Sequence, residues 1–200
     1  MFKRYRFPSV LISTLLVFTA GYVCAQPKIL STGVSAPLFT AKASLAGKEF
    51  DFSLKKSLAK GPVVVYFYPS AYTGGCDLEA HTFADMKDQF TAAGATIIGV
   101  SADDIQRLNK FSSDPDFCAG KFPVASDPGG KIAASYGLTI SPSRQGAKDV
   151  LGEEINHGFI PRTTFVINKE GKIAAVYSSN TDHITPDEHV KKALAMIKGM

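Results

Sequence analysis

The 200-residue chain has the length of a single domain, and its 45% hydrophobic and 20% charged residues are typical of globular proteins and exclude collagen-like and low-complexity classes. Its formal net charge is +4, but three basic residues, Lys3, Arg4 and Arg6, lie within the first six positions, and the first acidic residue is Glu49. Without those three, 19 basic residues face 18 acidic ones, and a net charge of +1 excludes binding to nucleic acid through a basic surface.

Residues 1–25 have the three-part layout of a secretory signal peptide. The basic residues are followed by an apolar stretch from 10 to 23, and Ala25 supplies a small residue for cleavage. This stretch is interrupted by polar residues and is shorter than the roughly 20 residues that cross a bilayer. We therefore expect cleavage after Ala25, export to the periplasm or the medium, and no stable membrane association. A membrane anchor, or a lipid anchor through Cys24, is the alternative.

The rest of the chain alternates between strand and helix patterns. Strands are predicted at 63–68, 95–100 and 122–125, in short pieces around a turn within 36–52, and in a hairpin of 163–167 and 172–177. Helices are predicted at 77–93, from a cap at Asp103 or Asp104 to 111, at 131–136, and at 187–197 after Pro186. This order predicts one α/β domain with a central mixed sheet flanked by helices. The polar stretch 141–156 is interpreted as a loop insertion into that domain.

Cys76 lies where a strand, a glycine-containing loop and a helix meet in sequence. Free N–H groups and the positive end of a helix favour an anion there, so we expect a thiol pKa lowered into the range of about 3.5–7.5. Thr73 is close enough in sequence to offer its hydroxyl to the sulfur or to a substrate. The alternative is a buried cysteine that only packs.

The residues around Cys76 form the pattern Pro69-x-x-x-Thr73-x-x-Cys76, followed by Glu79, and a strand beginning Arg162-Thr-Thr-Phe lies downstream. In these motifs the chain resembles the peroxiredoxin family, and in particular its bacterioferritin comigratory protein (Q-type) branch. The resemblance implies a thioredoxin-like fold and a thiol peroxidase that reduces hydrogen peroxide and organic hydroperoxides. It also implies a thioredoxin-like dithiol reductant, no prosthetic group, and a monomer, with a dimer left open.

The resemblance also implies a role for each residue of the pattern. Cys76 would be the nucleophile, and Thr73 and Arg162 would donate hydrogen bonds to the peroxide oxygens. Pro69 ends the strand and would shield the sulfur. Glu79 would orient the arginine, or would simply be a favourable acid in the first helical turn.

The second thiol departs from the common Q-type pattern. The position five residues after Cys76, where many members of the branch have a second cysteine, holds His81. Cys24 would leave with the signal peptide, so Cys118 is the remaining partner. The resemblance implies that it resolves oxidised Cys76 as an internal disulfide, after local unwinding of the Cys76 helical turn and of 114–120. A buried bystander and a permanent disulfide are the alternatives.

Other chemistry has little support in the sequence. The four histidines have no metal-ligand spacing, so no metal is expected. A second candidate for the guanidinium at the thiol is Arg144, in the polar insertion. Two other functions stay open: a non-enzymatic redox-gated chaperone or binding module, and a thioredoxin-type oxidoreductase. The latter usually needs C-x-x-C, and Thr73 occupies the place of its first cysteine.

Overall fold

The computed structural model describes residues 1–3 and 28–200, so the predicted signal peptide and its cleavage site lie almost wholly outside the described residues. The sheet contains the strands β1 (Thr40–Leu45), β2 (Lys48–Ser53), β3 (Val63–Phe67), β4 (Thr96–Ser101), β5 (Val124–Ser126), β6 (Thr163–Ile167) and β7 (Ile173–Ser178). The helices of the described chain are α1 (Leu54–Leu58), α2 (Gly74–Ala92), α3 (Ile105–Ser113), α4 (Lys131–Ser135), α5 (Ser179–Asp182) and α6 (Pro186–Lys198).

The strands lie side by side in the order β2-β1-β5-β4-β3-β6-β7. The central strand β3 is parallel to β4 and antiparallel to β6, and β4 is parallel to β5. The two outer hairpins, β1–β2 and β6–β7, are antiparallel. This arrangement confirms the predicted single α/β domain with a mixed sheet.

The core lies on both faces of the sheet, which explains why β3 is apolar throughout. Because side chains alternate along a strand, Val64 and Tyr66 pack on one face with apolar residues of α2, α3 and α6. Val63 and Val65 pack on the other face with residues of α1 and α4. Burying each such aliphatic side chain stabilises the folded state by about 1.5–3 kcal/mol. Strand β3 is therefore firmly held in the core, and the loop that follows it begins from a fixed position.

The structure differs from the predicted elements mainly at their ends. Helix α2 begins at Gly74, three residues before the predicted start, and the short helices α1 and α5 were not predicted. A helix of four or five residues is too short to show a period of 3.6 residues. The stretch 141–156, as described by the structure, contains isolated bridges and no helix or strand, in agreement with the predicted loop. Among the described residues, no helix has both the length and the apolar character needed to cross a membrane.

Candidate active site

Cys76 lies in the first turn of α2, directly beyond the carboxyl end of β3. Thr73 is the N-cap residue, with an extended backbone at φ −128°. Its carbonyl oxygen accepts hydrogen bonds from the backbone N–H groups of Cys76, at 2.7 Å, and of Asp77, at 2.9 Å. The sequence placed Cys76 just before the helix, whereas the structure makes it the third helical residue. Its side chain is only 2% exposed.

The Cys76 sulfur contacts the guanidinium of Arg162. Arg162 immediately precedes β6, and because Phe67 at the end of β3 pairs with Thr163, the arginine lies at the same edge of the sheet as the loop after β3. Its Nη2 atom lies 3.1 Å from Cys76 Sγ, and its Nη1 atom forms an ion pair with the buried carboxylate of Glu79. The predicted residues Cys76, Glu79 and Arg162 therefore form one contiguous cluster.

Gly75 allows the arginine to approach the helix so closely. A Cβ atom at this position would lie 3.2 Å from Arg162 Nη2 and 3.5 Å from Pro186 Cγ. The first distance is shorter than an ordinary van der Waals contact. A residue larger than glycine at position 75 would therefore displace the guanidinium from the sulfur. The glycine before Cys76 is thus part of the geometry of the site.

The electrostatics of the cluster differ from the sequence expectation. Burial raises the pKa of the Cys76 thiol above its ordinary value, although the Arg162 charge, the Ser70 backbone and the Thr73 side chain act in the opposite direction. The expected lowering of the Cys76 pKa is therefore wrong for this enclosed conformation, because removal from water outweighs the favourable charge. Burial also raises the pKa of Glu79 to about 7, against the opposing effect of Arg162.

Thr73 and Pro69 both belong to the segment between β3 and Cys76. The Thr73 hydroxyl donates to the carbonyl oxygen of Ser70 at 2.8 Å. Pro69 and Arg162 both line a cavity of about 620 Å³, whose wall also includes Phe159 and the exposed Arg144. The guanidinium at the thiol is thus that of Arg162, whereas Arg144 lies on the wall of the adjoining cavity.

Cys118 lies on the same face of the sheet as Cys76. Both are free thiols, and both belong to the same buried cluster of apolar side chains. Burial, with smaller contributions from Asp114 and Asp77, raises the pKa of the Cys118 thiol. In this state Cys118 is fully enclosed and unreactive.

A group of residues that contact the loop 70–72 was not predicted as a cluster from the sequence. Asp103, predicted as a possible helix cap, is instead buried against the loop, and Asp104 caps α3 by accepting from the Arg107 N–H at 2.7 Å. Asp103 contacts His157 and Arg107. The pair Asp103 and Arg107 has the local i,i+4 spacing, which is a possible signal in the sequence, whereas no local pattern marks the contact with the distant His157.

The structure between residues 28 and 200 contains no group of three or more histidine, cysteine, aspartate or glutamate side chains placed to hold a metal ion. The site therefore consists of a buried thiol, a guanidinium, a carboxylate and backbone N–H groups. Such a set can stabilise a thiolate and the charge that develops on a substrate oxygen.

Comparison with known proteins finds relatives along most of the chain. Residues 32–176 match the AhpC/TSA family. The chloroplastic peroxiredoxin Q of Triticum aestivum is 32% identical over 183 residues, which cover 91% of this chain and 72% of the relative. The crystal structure of peroxidoxin BcpB from Mycobacterium tuberculosis has a TM-score of 0.70 and 30% identity, covering 86% of this chain and 98% of the other. The bacterioferritin comigratory protein of Xanthomonas campestris, studied for alkyl peroxide reduction, has a TM-score of 0.60 and 26% identity, covering 79% of this chain and 90% of the other.

Proposed function

Since the chain belongs to the AhpC/TSA family and is a thiol peroxidase of the peroxiredoxin type with a thioredoxin-like fold, we propose that Cys76 is its peroxide-reactive thiol. The observation that carries this assignment is the contact of 3.1 Å between Cys76 Sγ and Arg162 Nη2. It joins the nucleophile to a fixed positive charge at the edge of a cavity. The family favours this enzymatic interpretation over the binding-module alternative.

In the first step the Cys76 thiolate attacks one oxygen of hydrogen peroxide or of an organic hydroperoxide. An S–O bond forms and the O–O bond breaks, so the sulfur is oxidised to sulfenic acid and the second oxygen leaves as hydroxide or alkoxide, which takes up a proton. Arg162 is placed to stabilise the thiolate and then the charge that develops on the oxygens. Glu79 holds the guanidinium in place through the ion pair with Nη1.

In the second step Cys118 resolves the sulfenic acid. Its sulfur attacks the oxidised sulfur of Cys76, an S–S bond forms, and the hydroxyl leaves as water. A thioredoxin-like dithiol protein then reduces the disulfide and becomes oxidised itself. Both thiols are free and buried, Cys76 within a helical turn, which supports a mechanism in which the two segments move before the sulfur atoms bond.

We propose export as the setting of this reaction, on the evidence of the basic, apolar and small-residue segments of residues 1–25. The mature protein then begins at Gln26 and acts as a monomer in the periplasm or the medium. Intact mass and N-terminal sequencing of the protein from the cell envelope fraction test this, and a retained Met1 in that fraction would contradict it.

The central experiment measures peroxide consumption by rapid mixing with the mature protein. Cys76→Ser should abolish the fast reaction, because a serine hydroxyl is not ionised near neutral pH. Cys118→Ser is the matched control, since it removes a buried thiol but keeps Cys76, and its first turnover should stay fast. Equal rates for wild type and Cys76→Ser would refute the assignment.

A further inference from the structure

The loop between β3 and α2 is held from behind by four side chains, Asp103, Arg107, Asp149 and His157, which we call the loop clamp. They come from the segment after β4, from α3 and from the polar stretch between α4 and β6. The Asp103 and Asp149 side chains are fully enclosed, and those of Arg107 and His157 are 13% and 18% exposed. None of the four contacts the Cys76 sulfur in the hydrogen-bond pattern of the described chain.

Asp103 is the centre of the clamp. Its Oδ2 accepts from the backbone N–H of Ala71 at 2.8 Å and from the Ser101 hydroxyl at 2.7 Å. Its Oδ1 accepts from the Ser70 hydroxyl at 3.1 Å and lies 2.9 Å from His157 Nε2. Burial alone would raise the pKa of Asp103, but the contacts with His157, the Ala71 N–H and the Ser101 hydroxyl outweigh it and lower the pKa. Asp103 also forms an ion pair with Arg107.

Arg107 connects the loop to the polar insertion. Its Nη2 donates to the carbonyl oxygen of Ala71 at 3.0 Å and to Asp149 Oδ2 at 2.6 Å. The guanidinium also lies over the Tyr72 ring, 5.3 Å from its centroid. Next to Asp149, the N–H of Val150 donates to the carbonyl oxygen of Tyr72 at 2.9 Å. The backbone of Ala71 is therefore hydrogen-bonded at both its N–H and its carbonyl group. The next residue, Tyr72, is hydrogen-bonded to the backbone of the polar stretch.

The clamped residues continue directly into the site. The carbonyl oxygen of Ser70 accepts from the Thr73 hydroxyl, and the Thr73 carbonyl accepts from the N–H of Cys76. Between them, Tyr72 has φ +57°, a left-handed conformation that is uncommon for a residue other than glycine. Such a conformation persists where surrounding contacts over-determine it. Here the clamp contributes through Arg107 over the ring, beside the Val150 N–H and the packing of the ring against Phe111 and Phe117.

We propose that Arg107 and Asp149, acting with Asp103 and His157, are positioning residues for the peroxidase reaction. They hold the loop 70–72 so that Cys76 meets Arg162 at the first turn of α2. The polar insertion is thereby a working part of the site. This inference rests on the proposed role of Cys76 as the peroxide-reactive thiol.

The test uses two reactions of the same sulfur in the mature protein. Reduction of hydrogen peroxide needs a thiolate that is aligned with the donors, whereas alkylation by iodoacetamide needs only a thiolate and access. Because a displacement of about 1 Å at a reacting group can lower a rate by about 100-fold, Arg107→Ala should slow peroxide reduction at least about 10-fold. Its alkylation rate should be unchanged or higher, since a loosened loop exposes Cys76.

Two further variants and one independent measurement complete the test. Asp149→Asn removes one partner of Arg107 from an irregular segment and should give a smaller change in the same direction. Lys110→Ala, a matched control, removes an exposed cation from the same helix and should leave both rates within twofold of wild type. Amide hydrogen exchange at 70–76 should be faster in Arg107→Ala and in Asp149→Asn, with the melting curve still cooperative.

Failure of the clamp proposal can be distinguished from failure of the proposed function. A wild-type rate equal to that of Cys76→Ser would contradict the proposed function, and the exchange data would still report on the clamp. A Cys76-dependent wild type with unchanged peroxide rates in both clamp variants would overturn the clamp alone. A parallel loss of peroxide reduction and alkylation would also overturn it, because that result shows that the thiolate itself is lost and not its alignment with the donors. A slower peroxide reaction in a variant whose melting curve is no longer cooperative would overturn it as well, because general unfolding then explains the loss.

Discussion

At the scale of single residues, the thiol and a carboxylate of the site both contact the same guanidinium. Arg162 faces the Cys76 sulfur with one nitrogen and the Glu79 carboxylate with the other. Glu79 raises the pKa of Cys76 while Arg162 lowers it, and burial has the largest effect. The guanidinium therefore opposes the effect of burial on the thiol pKa without outweighing it. Its orientation matters as much as its charge.

We expect Arg162→Gln to slow oxidation of Cys76 by hydrogen peroxide by about 100-fold or more. Loss of one donor to a developing oxyanion commonly costs about 10²–10³ in rate, and the charge that favours the thiolate is lost as well. The measurement is the stopped-flow rate constant under single turnover. Arg144→Gln is the matched control, since Arg144 is exposed on the wall of the same cavity. A similar loss in both variants would show that the cavity's overall charge, and not the contact with Cys76, is important.

At the scale of elements, helix α6 is attached to the sheet beside the site through one buried histidine. His189 Nδ1 lies 2.9 Å from the Thr164 hydroxyl of β6, and its Nε2 lies 2.9 Å from the Ser179 hydroxyl of α5. A hydroxyl can donate or accept, so the neutral ring is satisfied at both positions. Burial, followed by the nearby Arg162 charge, lowers the pKa of His189 to about 4.

This shift predicts a loss of stability in acid. An unfolded histidine has a pKa near 6.5, so between about pH 6.5 and pH 4 the unfolded chain binds a proton that the folded chain does not. The contribution of His189 is complete above about pH 6.5 and falls as the pH approaches 4, by up to about 3 kcal/mol at 1.4 kcal/mol per pKa unit. Urea unfolding of wild type and His189→Gln at pH 7 and pH 5 measures it. The free energy of unfolding should fall more in wild type, and equal changes would contradict the assignment.

At the scale of the whole molecule, the proposed disulfide between Cys76 and Cys118 implies a change of conformation. A disulfide needs Cα atoms roughly 4.4–6.8 Å apart with suitably directed side chains. Cys76 is held in a helical turn, and Cys118 lies fully buried in a turn whose next two residues, Ala119 and Gly120, both have positive φ. Aromatic contacts tie the two segments together, since Tyr72 packs edge-on against Phe117 at 5.4 Å. Local opening of these segments is therefore part of the proposed turnover.

One equivalent of peroxide should convert the reduced mature protein into a monomer with one internal disulfide, about 2 Da lighter through the loss of two hydrogens. Amide exchange at 73–78 and 114–120 should then be faster than in the reduced protein, because both segments must leave their buried positions. Cys118→Ser should instead accumulate sulfenic and then sulfinic acid. Intact mass and exchange measurements decide this. A Cys118 thiol that still reacts freely with a label after oxidation would exclude its resolving role.

The sequence by itself determined the elements whose signals are local. The apolar run at 63–68, the hairpin around 168–171 and the helix after Pro186 were all predictable, because burial on two faces and turn chemistry leave a mark within a few residues. Pro69 and Thr73 could be placed in the loop after β3, and Cys76 at the junction of that loop with the next helix, for the same reason. Arg162 could be proposed through the family resemblance.

Only the tertiary structure decided what surrounds these residues. The sheet order brings Arg162 beside the loop after β3, where its charge lowers the pKa of Cys76. The enclosure of the thiol outweighs that effect and raises the pKa, opposite to the direction expected from the helix end alone. Asp103 and Arg107 are close in sequence, but both bind the backbone of Ala71, which lies more than 30 residues away in the chain. Desolvation and long-range hydrogen bonds depend on which segments pack together, and a local sequence pattern contains no information about that packing.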